Sequence, residues 1–306
     1  MGHPSTRATQ RCPMRNQLKT VLLLTTLSAI LIAVGAALGR GYLYGFAALA
    51  ILMNLGAYFF SDRLILALHH AHEVPPVLAF GLHRSVEHVA RAAGVPKPRI
   101  FLIPDAQPNA FATGRNPEHA VVAVTAGIMD LLDERELRAV LAHEISHIKN
   151  RDILVATVAA GIAAAITYVA HAAQLVAVFG GHRDDDEEHG SLLGTLLLIL
   201  VAPIAATLIQ LGISRSREYL ADETGAQLGR DPEGLARALE KMQGAAERIP
   251  AHVEAATASL FIVSPLAARG GGVVRFFSTH PPIEDRIRRL HRIALSMQGS
   301  WSSERR

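Results

Sequence analysis

The five residues His143-Glu144-Ile145-Ser146-His147, near the middle of the chain, determine how the remaining sequence is interpreted. On a helix, positions four apart lie on the same face, so both imidazole rings can bind one ion. The preceding run, residues 133–136, is rich in acidic side chains, which favour the first turn of a helix. The sequence therefore predicts a helix that carries two metal ligands.

The residue types in this stretch indicate zinc chemistry. Zinc accepts neutral imidazole nitrogen in tetrahedral geometry and lowers the pKa of a bound water molecule to about 7. Glu144 follows the first histidine and can remove a proton from that water, as in metalloproteases. The alternative is a helix whose two histidines are merely solvated or capped. The surroundings argue against it, because the helix is predicted independently of the histidines and lies at the end of a soluble segment rather than in a loop. We predict one Zn²⁺ ion per chain, bound by His143 and His147, with Glu144 as a catalytic residue.

A third ligand is expected after the last long apolar segment of the chain. Glu218 and Asp222 are four positions apart on a predicted helix and share one face. Glu218 is the candidate ligand, and Asp222 is expected to accept a hydrogen bond from a ligand histidine. An exposed acidic face paired with Arg215 and Arg217 is the alternative, and it is favoured if the segment is considered alone. We prefer the ligand role for Glu218, because the last two apolar segments are expected to form a hairpin. Such a hairpin returns the chain to the histidine motif at this point.

The composition excludes several classes of protein. The 306 residues are 50% hydrophobic and 19% charged, which excludes a disordered chain and argues against a purely soluble one. The single cysteine, Cys12, excludes an intramolecular disulfide and a cysteine-based zinc finger. A formal net charge of +3 is too balanced to indicate a nucleic-acid partner.

The excess of apolar residues lies in four segments, each long enough to span a bilayer as a helix. They are Val21–Leu38, Tyr42–Phe60, Ile153–Gly180 and Leu192–Ile213. The first is longer than the core of a signal peptide, roughly 7–15 residues, and another apolar segment follows it at once. We therefore predict an uncleaved anchor and four transmembrane helices in two hairpins, with the lipid bilayer as a partner.

The charges around these segments predict their orientation. Basic residues precede the first segment, whereas residues 181–190, between the third and fourth segments, are strongly acidic. This distribution places both termini and the predicted active site in the cytoplasm. The predicted organisation is an N-terminal tail (1–17), a transmembrane hairpin (18–60), a first catalytic part (61–152), a second transmembrane hairpin (153–213), a second catalytic part (214–297) and a C-terminal tail (298–306).

Within the catalytic parts, two β-rich runs, residues 99–103 and 120–125, are expected to pair as a hairpin. Helices are predicted over 76–93, through the histidine motif, over 214–229 and 232–248, and after Pro282. Residues 264–279 are rich in glycine and serine and are expected to form a mobile loop.

Four segments together resemble the HtpX family of bacterial membrane zinc metallopeptidases, distant relatives of the CAAX prenyl protease. They are Asn109–Gly114, His143–Asp152, Ser214–Asp222, and Ser278–Pro282 with Arg286. With the apolar segments, the resemblance covers nearly the whole chain. It implies a multi-pass inner-membrane endopeptidase with a cytoplasmic active site and an α+β, gluzincin-like zinc peptidase domain. Such enzymes degrade damaged or misassembled membrane proteins under stress, so unfolded and membrane proteins are the expected substrates.

The resemblance also implies roles for residues whose chemistry is less specific. His280 is expected to donate to the oxyanion of the tetrahedral intermediate, with Arg286 as a second charge nearby. A helix-capping histidine is the alternative for His280. Residues 109–114 are expected to form an exposed edge strand that pairs with an extended substrate through Asn109, Ala110 and Phe111. A simple hairpin turn is the alternative for this segment.

Two other classes of protein were weighed against the peptidase. An intramembrane protease is disfavoured because dense charges flank the histidine motif, and charges are costly in hydrocarbon. A metal-binding transporter is disfavoured because few polar residues lie within the apolar segments, and a scaffold without activity normally lacks Glu144 or a ligand. The sequence leaves open the oligomeric state, the substrates and whether residues 264–279 gate the site.

Overall fold

The computed structural model describes residues 20–22, 24–25, 28–29, 32, 36, 40–162, 215–249, 260–263 and 281–303. Several predictions fall outside these residues: most of the first apolar segment, the third beyond residue 162, the fourth segment, the acidic loop 181–190, the glycine-rich loop 264–279 and His280.

The first long element is helix α1, Arg40–Leu68. Within the described part of the chain it is the one helix long and apolar enough to cross a membrane, with a mean hydropathy of 1.7. It begins inside the predicted connection and continues past residue 60, where we expected the membrane segment to end. The extension has a packing reason, because Ile65 and Leu66 are buried against the sheet described next.

The central sheet has four strands, β1 (His72–Glu73), β2 (Arg99–Ile103), β3 (Ala110–Thr113) and β4 (Val121–Thr125), in the order β1-β2-β4-β3. β2 and β4 are parallel, and β3 is antiparallel to β4. The predicted hairpin between 99–103 and 120–125 is therefore wrong. The connection between these runs contains β3, which pairs antiparallel with β4. β2 and β4 are therefore joined by a crossover connection and pair in parallel.

Both faces of the sheet are covered, and side chains alternate between them along each strand. On one face, Ile100, Val122 and Ala112 join the main core with helices α2 (Phe80–Ala93), α3 (Ala126–Leu131) and α4 (Glu134–Lys149). On the other face, Phe101 and Phe111 pack with Ile65 of α1 and with helix α5, Ile153–Ile162. The remaining helices are α6 (Arg215–Gly229), α7 (Pro232–Arg248) and α8 (Ile283–Ser303).

The helix boundaries follow local signals. α4 begins with a capping box between Asp133 and Glu136, as the acidic run predicts. Helix α2 ends at Gly94, whose left-handed φ of 71° makes glycine the favoured residue there. It begins at Phe80 rather than 76, because Pro75 and Pro76 precede a turn in which the N–H of Leu78 donates to the carbonyl of Pro75.

Candidate metal centre

Three side chains converge where α4 and α6 cross. Nε2 of His143 lies 3.3 Å from Nε2 of His147, and each of these nitrogens lies 3.8 Å from an oxygen of Glu218. In a tetrahedral site, two bonds of about 2.1 Å place the ligand atoms about 3.4 Å apart. The spacing and the donor types therefore fit a small dication such as zinc. These are the three residues that the sequence predicts as ligands.

The two helices approach closely enough for this because of one glycine. A Cβ atom on Gly225 of α6 would lie 2.9 Å from both the Cα and the N atom of His143. Such a contact is too short, so any larger residue pushes the helices apart. Gly225 therefore sets the distance at which Glu218 meets the histidines.

The carboxylate of Asp222 lies beside His143, one of the histidines that it is predicted to orient. Its Oδ1 lies 3.0 Å from Nδ1 of His143, which leaves Nε2 directed at the metal position. Arg286 of α8 binds the same carboxylate twice, through Nη2 at 2.7 Å and Nε at 2.9 Å. Burial raises the pKa of Asp222, but Arg286 and His143 outweigh it and lower the pKa to about 2. Asp222 is therefore ionised at neutral pH.

Asp152 lies beside the ring of His147 as Asp222 lies beside that of His143. Asp152 is not among the site residues predicted from the sequence. Its Oδ1 lies 3.1 Å from Nδ1 of His147, and its side chain is almost fully buried. Burial lowers the pKa of His147, but the carboxylates of Asp152, Glu218 and Glu144 outweigh it and raise the pKa to about 10. The available signal was an acidic residue just before an apolar segment, which we interpreted only as a flanking charge.

Glu144 connects the metal position to the sheet. It is buried, and its Oε2 accepts a hydrogen bond of 2.8 Å from the backbone N–H of Ala112 in β3. Burial raises its pKa, although the two neighbouring histidines act in the opposite direction. A carboxyl group in this environment is suited to taking up and returning a proton.

Comparison with known proteins identifies the family. Residues 78–294 match the model of peptidase family M48. A protease HtpX homolog from Desulforapulum autotrophicum is 47% identical over 293 residues, which cover 95% of this chain and 94% of the relative. One from Aquifex aeolicus is 50% identical over 276 residues, covering 88% and 90%. The chain belongs to peptidase family M48. Its relatives place it in the HtpX group of that family.

A solved structure resembles this M48 peptidase more distantly. The crystal structure of S. mikatae Ste24p has a TM-score of 0.48 and 19% sequence identity, covering 92% of this chain and 66% of that one. The family and the HtpX relatives support a membrane metallopeptidase, and therefore a metal cofactor. The His143, His147 and Glu218 side chains are the described group that can hold this metal.

The edge strand of this M48 peptidase differs in part from the prediction. β3 does lie at the edge of the sheet, but the side chains of all four of its residues are buried. Asn109, just before it, is also buried, and its Oδ1 accepts a hydrogen bond of 3.1 Å from the N–H of Ile262. Ala110 lies within the strand, whereas Phe111 and Ala112 line the cleft that leads to the metal position. Ala112 was not among the predicted substrate-binding residues.

The structure places the guanidinium of Arg286 beside the metal donors of this M48 peptidase: Nη2 lies 3.5 Å from Nε2 of His143, and Nη1 lies 3.8 Å from Oε2 of Glu218. This guanidinium is fully buried, pairs with Asp222 and donates to the carbonyl of Ile262 at 3.2 Å. Burial lowers the pKa of Arg286, but Asp222 outweighs it and holds the pKa above its ordinary value. We predicted a charge in contact with the substrate, and the contacts instead favour a residue that positions Asp222. His280 lies outside the described residues, and its role stays a prediction.

The metal position of this M48 peptidase is open on one side. The side chain of His143 is 1% exposed, whereas those of His147 and Glu218 are 17% and 11% exposed. The accessible side of the site is therefore that of His147 and Glu218, where the cleft wall includes Phe111 and Phe261.

Proposed function

We propose that this chain is a zinc-dependent endopeptidase, anchored in the bacterial inner membrane with its active site in the cytoplasm. Its proposed substrates are misfolded or damaged membrane proteins, so that it acts in quality control and the stress response. The observation that carries the proposal is the convergence of the His143, His147 and Glu218 donor atoms beside Glu144, at a sheet edge.

Zinc is the proposed metal because two imidazole nitrogens and one carboxylate oxygen are a typical donor set of catalytic zinc sites. When bound, it supplies Lewis acidity toward the scissile carbonyl group and makes water more acidic. Asp222 and Asp152 hold the two rings in the tautomer that presents Nε2 to the metal.

Glu144 is the proposed general base and general acid. Its carboxylate takes the proton from the attacking water and returns it to the amine that leaves. The N–H of Ala112 holds Oε2 of Glu144 at 2.8 Å, which fixes the direction of the carboxylate and ties it to the strand. The proton carrier and the substrate-binding strand are therefore part of one unit.

The substrate is proposed to lie along β3 in an extended conformation. In the antiparallel pair, Asn109 and Thr125 exchange hydrogen bonds, so the backbone groups of Ala110 and Ala112 point to the open edge. The N–H of Ala112 is occupied by Glu144, which leaves Ala110 to pair with the substrate. We propose His280 as the donor to the developing oxyanion.

The proposed membrane part has four helices in two hairpins. α1 supports this organisation, and α5 is an apolar helix that lies where the third proposed span begins. A Cβ atom on Gly161 of α5 would lie 2.6 Å from Cβ of Ser61, so the two helices are in close contact. The basic tail and the acidic loop 181–190 support the cytoplasmic orientation.

The test is cleavage of an unfolded model protein, and of the enzyme itself, by detergent-purified protein with added zinc. We expect Glu144→Gln to retain one zinc per chain and to lose about 10²–10⁴-fold in rate. The matched control is Glu134→Gln, an exposed carboxylate on the same helix, which should cleave like wild type. Full activity of Glu144→Gln refutes the mechanism. Bound zinc without cleavage by any variant favours a metal-binding scaffold.

A further inference from the structure

Arg217, the residue before Glu218 on α6, is a buried cation that has no counter-ion among the described residues. It is 7% exposed and lines the cleft that leads to the metal position. Its Nη1 atom is buried and, among the described residues, has neither a hydrogen-bond partner nor an ion-pair partner. The neighbouring Arg215 is exposed, as expected for a solvated helix face, so the burial is particular to Arg217.

This arrangement is energetically costly, because charges are rarely buried unless they are paired. A guanidinium cannot relieve the cost by losing its proton, since arginine stays protonated in proteins. The other buried arginine at the centre, Arg286, follows the rule and binds Asp222 through two nitrogens. Arg217 therefore has donors that an incoming anion can satisfy.

The surroundings of Arg217 favour an anion from the substrate. Successive residues on a helix are about 100° apart, so Arg217 lies beside Glu218 rather than directed at the metal donors. Among the described residues that line the cleft, it is the only arginine or lysine, and much of the wall is apolar, including Phe111, Ala156 and Leu260. In such an environment a charged partner is bound more strongly than a neutral one.

We propose that Arg217 binds a carboxylate of the substrate and thereby selects the peptides that this peptidase cleaves. The planar guanidinium matches a carboxylate through two parallel hydrogen bonds. The carboxylate is either an acidic side chain near the scissile bond or the free carboxyl terminus of the substrate. This inference rests on the proposed peptidase function and adds a substrate class to it.

The competing explanation is that Arg217 only compensates the negative charge of the cleft. Glu144, Asp152 and Glu218 all line it, and a nearby cation reduces their mutual repulsion. In that case, loss of Arg217 changes metal binding and affects acidic and neutral peptides equally. The two explanations therefore differ in peptide selectivity.

The experiment compares Arg217→Met, Arg217→Lys and the matched control Arg215→Met in detergent with zinc. In the first set of peptide pairs, all amidated at the C-terminus, the two members differ by Glu or Gln at one position near the cleaved bond. In a further pair, the members differ only in a free or amidated C-terminus. For wild type and Arg215→Met, we expect kcat/KM to be about 10–100-fold higher for the carboxylate member of one pair. The ratio should fall to about 1 in Arg217→Met and be partly retained in Arg217→Lys.

A binding measurement separates this inference from the proposed function. Zinc-loaded Glu144→Gln and the double variant Glu144→Gln/Arg217→Met are titrated with fluorescently labelled forms of the same peptides, so that no cleavage is needed. Tighter binding of the carboxylate peptide that depends on Arg217 supports the inference even if wild type cleaves nothing. A ratio that depends on the free C-terminus assigns the carboxylate to the chain end and contradicts the endopeptidase proposal. The inference is overturned if the preference for the carboxylate peptide over its neutral counterpart is the same in Arg217→Met and Arg215→Met. It is also overturned if Arg217→Met changes only the zinc content.

Discussion

Replacing Arg286 with methionine is expected to destabilise the catalytic core by about 3–5 kcal/mol. The guanidinium is fully buried and contacts Asp222 through two hydrogen bonds of 2.7 and 2.9 Å. Methionine retains much of the apolar stem but removes the charge, so Asp222 is left as a buried carboxylate whose remaining partner among the described residues is His143. The cost arises mainly from that uncompensated charge rather than from lost packing.

The measurement is chemical unfolding of the metal-free protein in detergent, monitored by circular dichroism. Arg288→Met is the matched control on the same helix, because the side chain of Arg288 is 71% exposed. It should change the free energy of unfolding by less than about 0.5 kcal/mol. The double variant Arg286→Met/Asp222→Asn should recover part of the loss, since neither charge is then buried alone.

Two results would refute this reasoning. If Arg286→Met costs no more than the surface control, the buried pair does not stabilise the core. If the losses of the two single variants simply add in the double variant, the residues act independently, and the contact with Asp222 is not the reason for the burial of Arg286.

Three further predictions concern the same centre. Asp152→Asn should weaken zinc affinity about 10–100-fold, measured by chelator competition, because the amide orients His147 less firmly; an unchanged affinity contradicts the role of Asp152. Gly225→Ala should lower both zinc content and unfolding temperature, since the new Cβ meets His143 at 2.9 Å; wild-type values for both contradict the close-approach argument. The Asp222 pKa, lowered from 3.8 to about 2, should give metal-free protein a stability contribution that is present above about pH 4 and lost as pH falls through 2. An Asp222→Asn variant that loses as much stability over this range as wild type excludes Asp222 as the source.

The parts of the centre that the sequence predicts are those set by local geometry. His143 with His147, and Glu218 with Asp222, are each four residues apart, and a helix alone places each pair on one face. That the two helices meet was inferred from the apolar segments that return the chain, and Gly225 determines how closely they do so.

The parts that were missed depend on a turn or on distant pairing. Arg151, just after α4, has a left-handed φ of 55°, and in the same turn the N–H of Asp152 donates to the carbonyl of His147 at 3.2 Å. This turn places the carboxylate of Asp152 beside the ring of His147. Nothing in the residue types indicates such a turn. The contact of Glu144 with Ala112 likewise depends on β3 pairing along β4. The sequence predicts the edge strand, but not the strand beside which it lies.

The two carboxylates behind the histidines are connected to different parts of the molecule. Asp222 is held by Arg286 of α8, deep in the core, whereas Oδ2 of Asp152 has no hydrogen-bond partner among the described residues. Asp152 directly precedes α5, so its position is set mainly by where that apolar helix begins.

The beginning of α5 also holds the edge strand in place. The hydroxyl of Thr157 lies 3.0 Å from the hydroxyl of Thr113 and accepts a hydrogen bond of 3.1 Å from the N–H of Gly114. The start of α5 therefore follows directly on Asp152, which contacts the candidate ligand His147, and its Thr157 holds the end of the strand proposed to bind substrate. This gives a physical reason for an apolar segment between the two proposed catalytic parts: its described beginning positions residues of the candidate site.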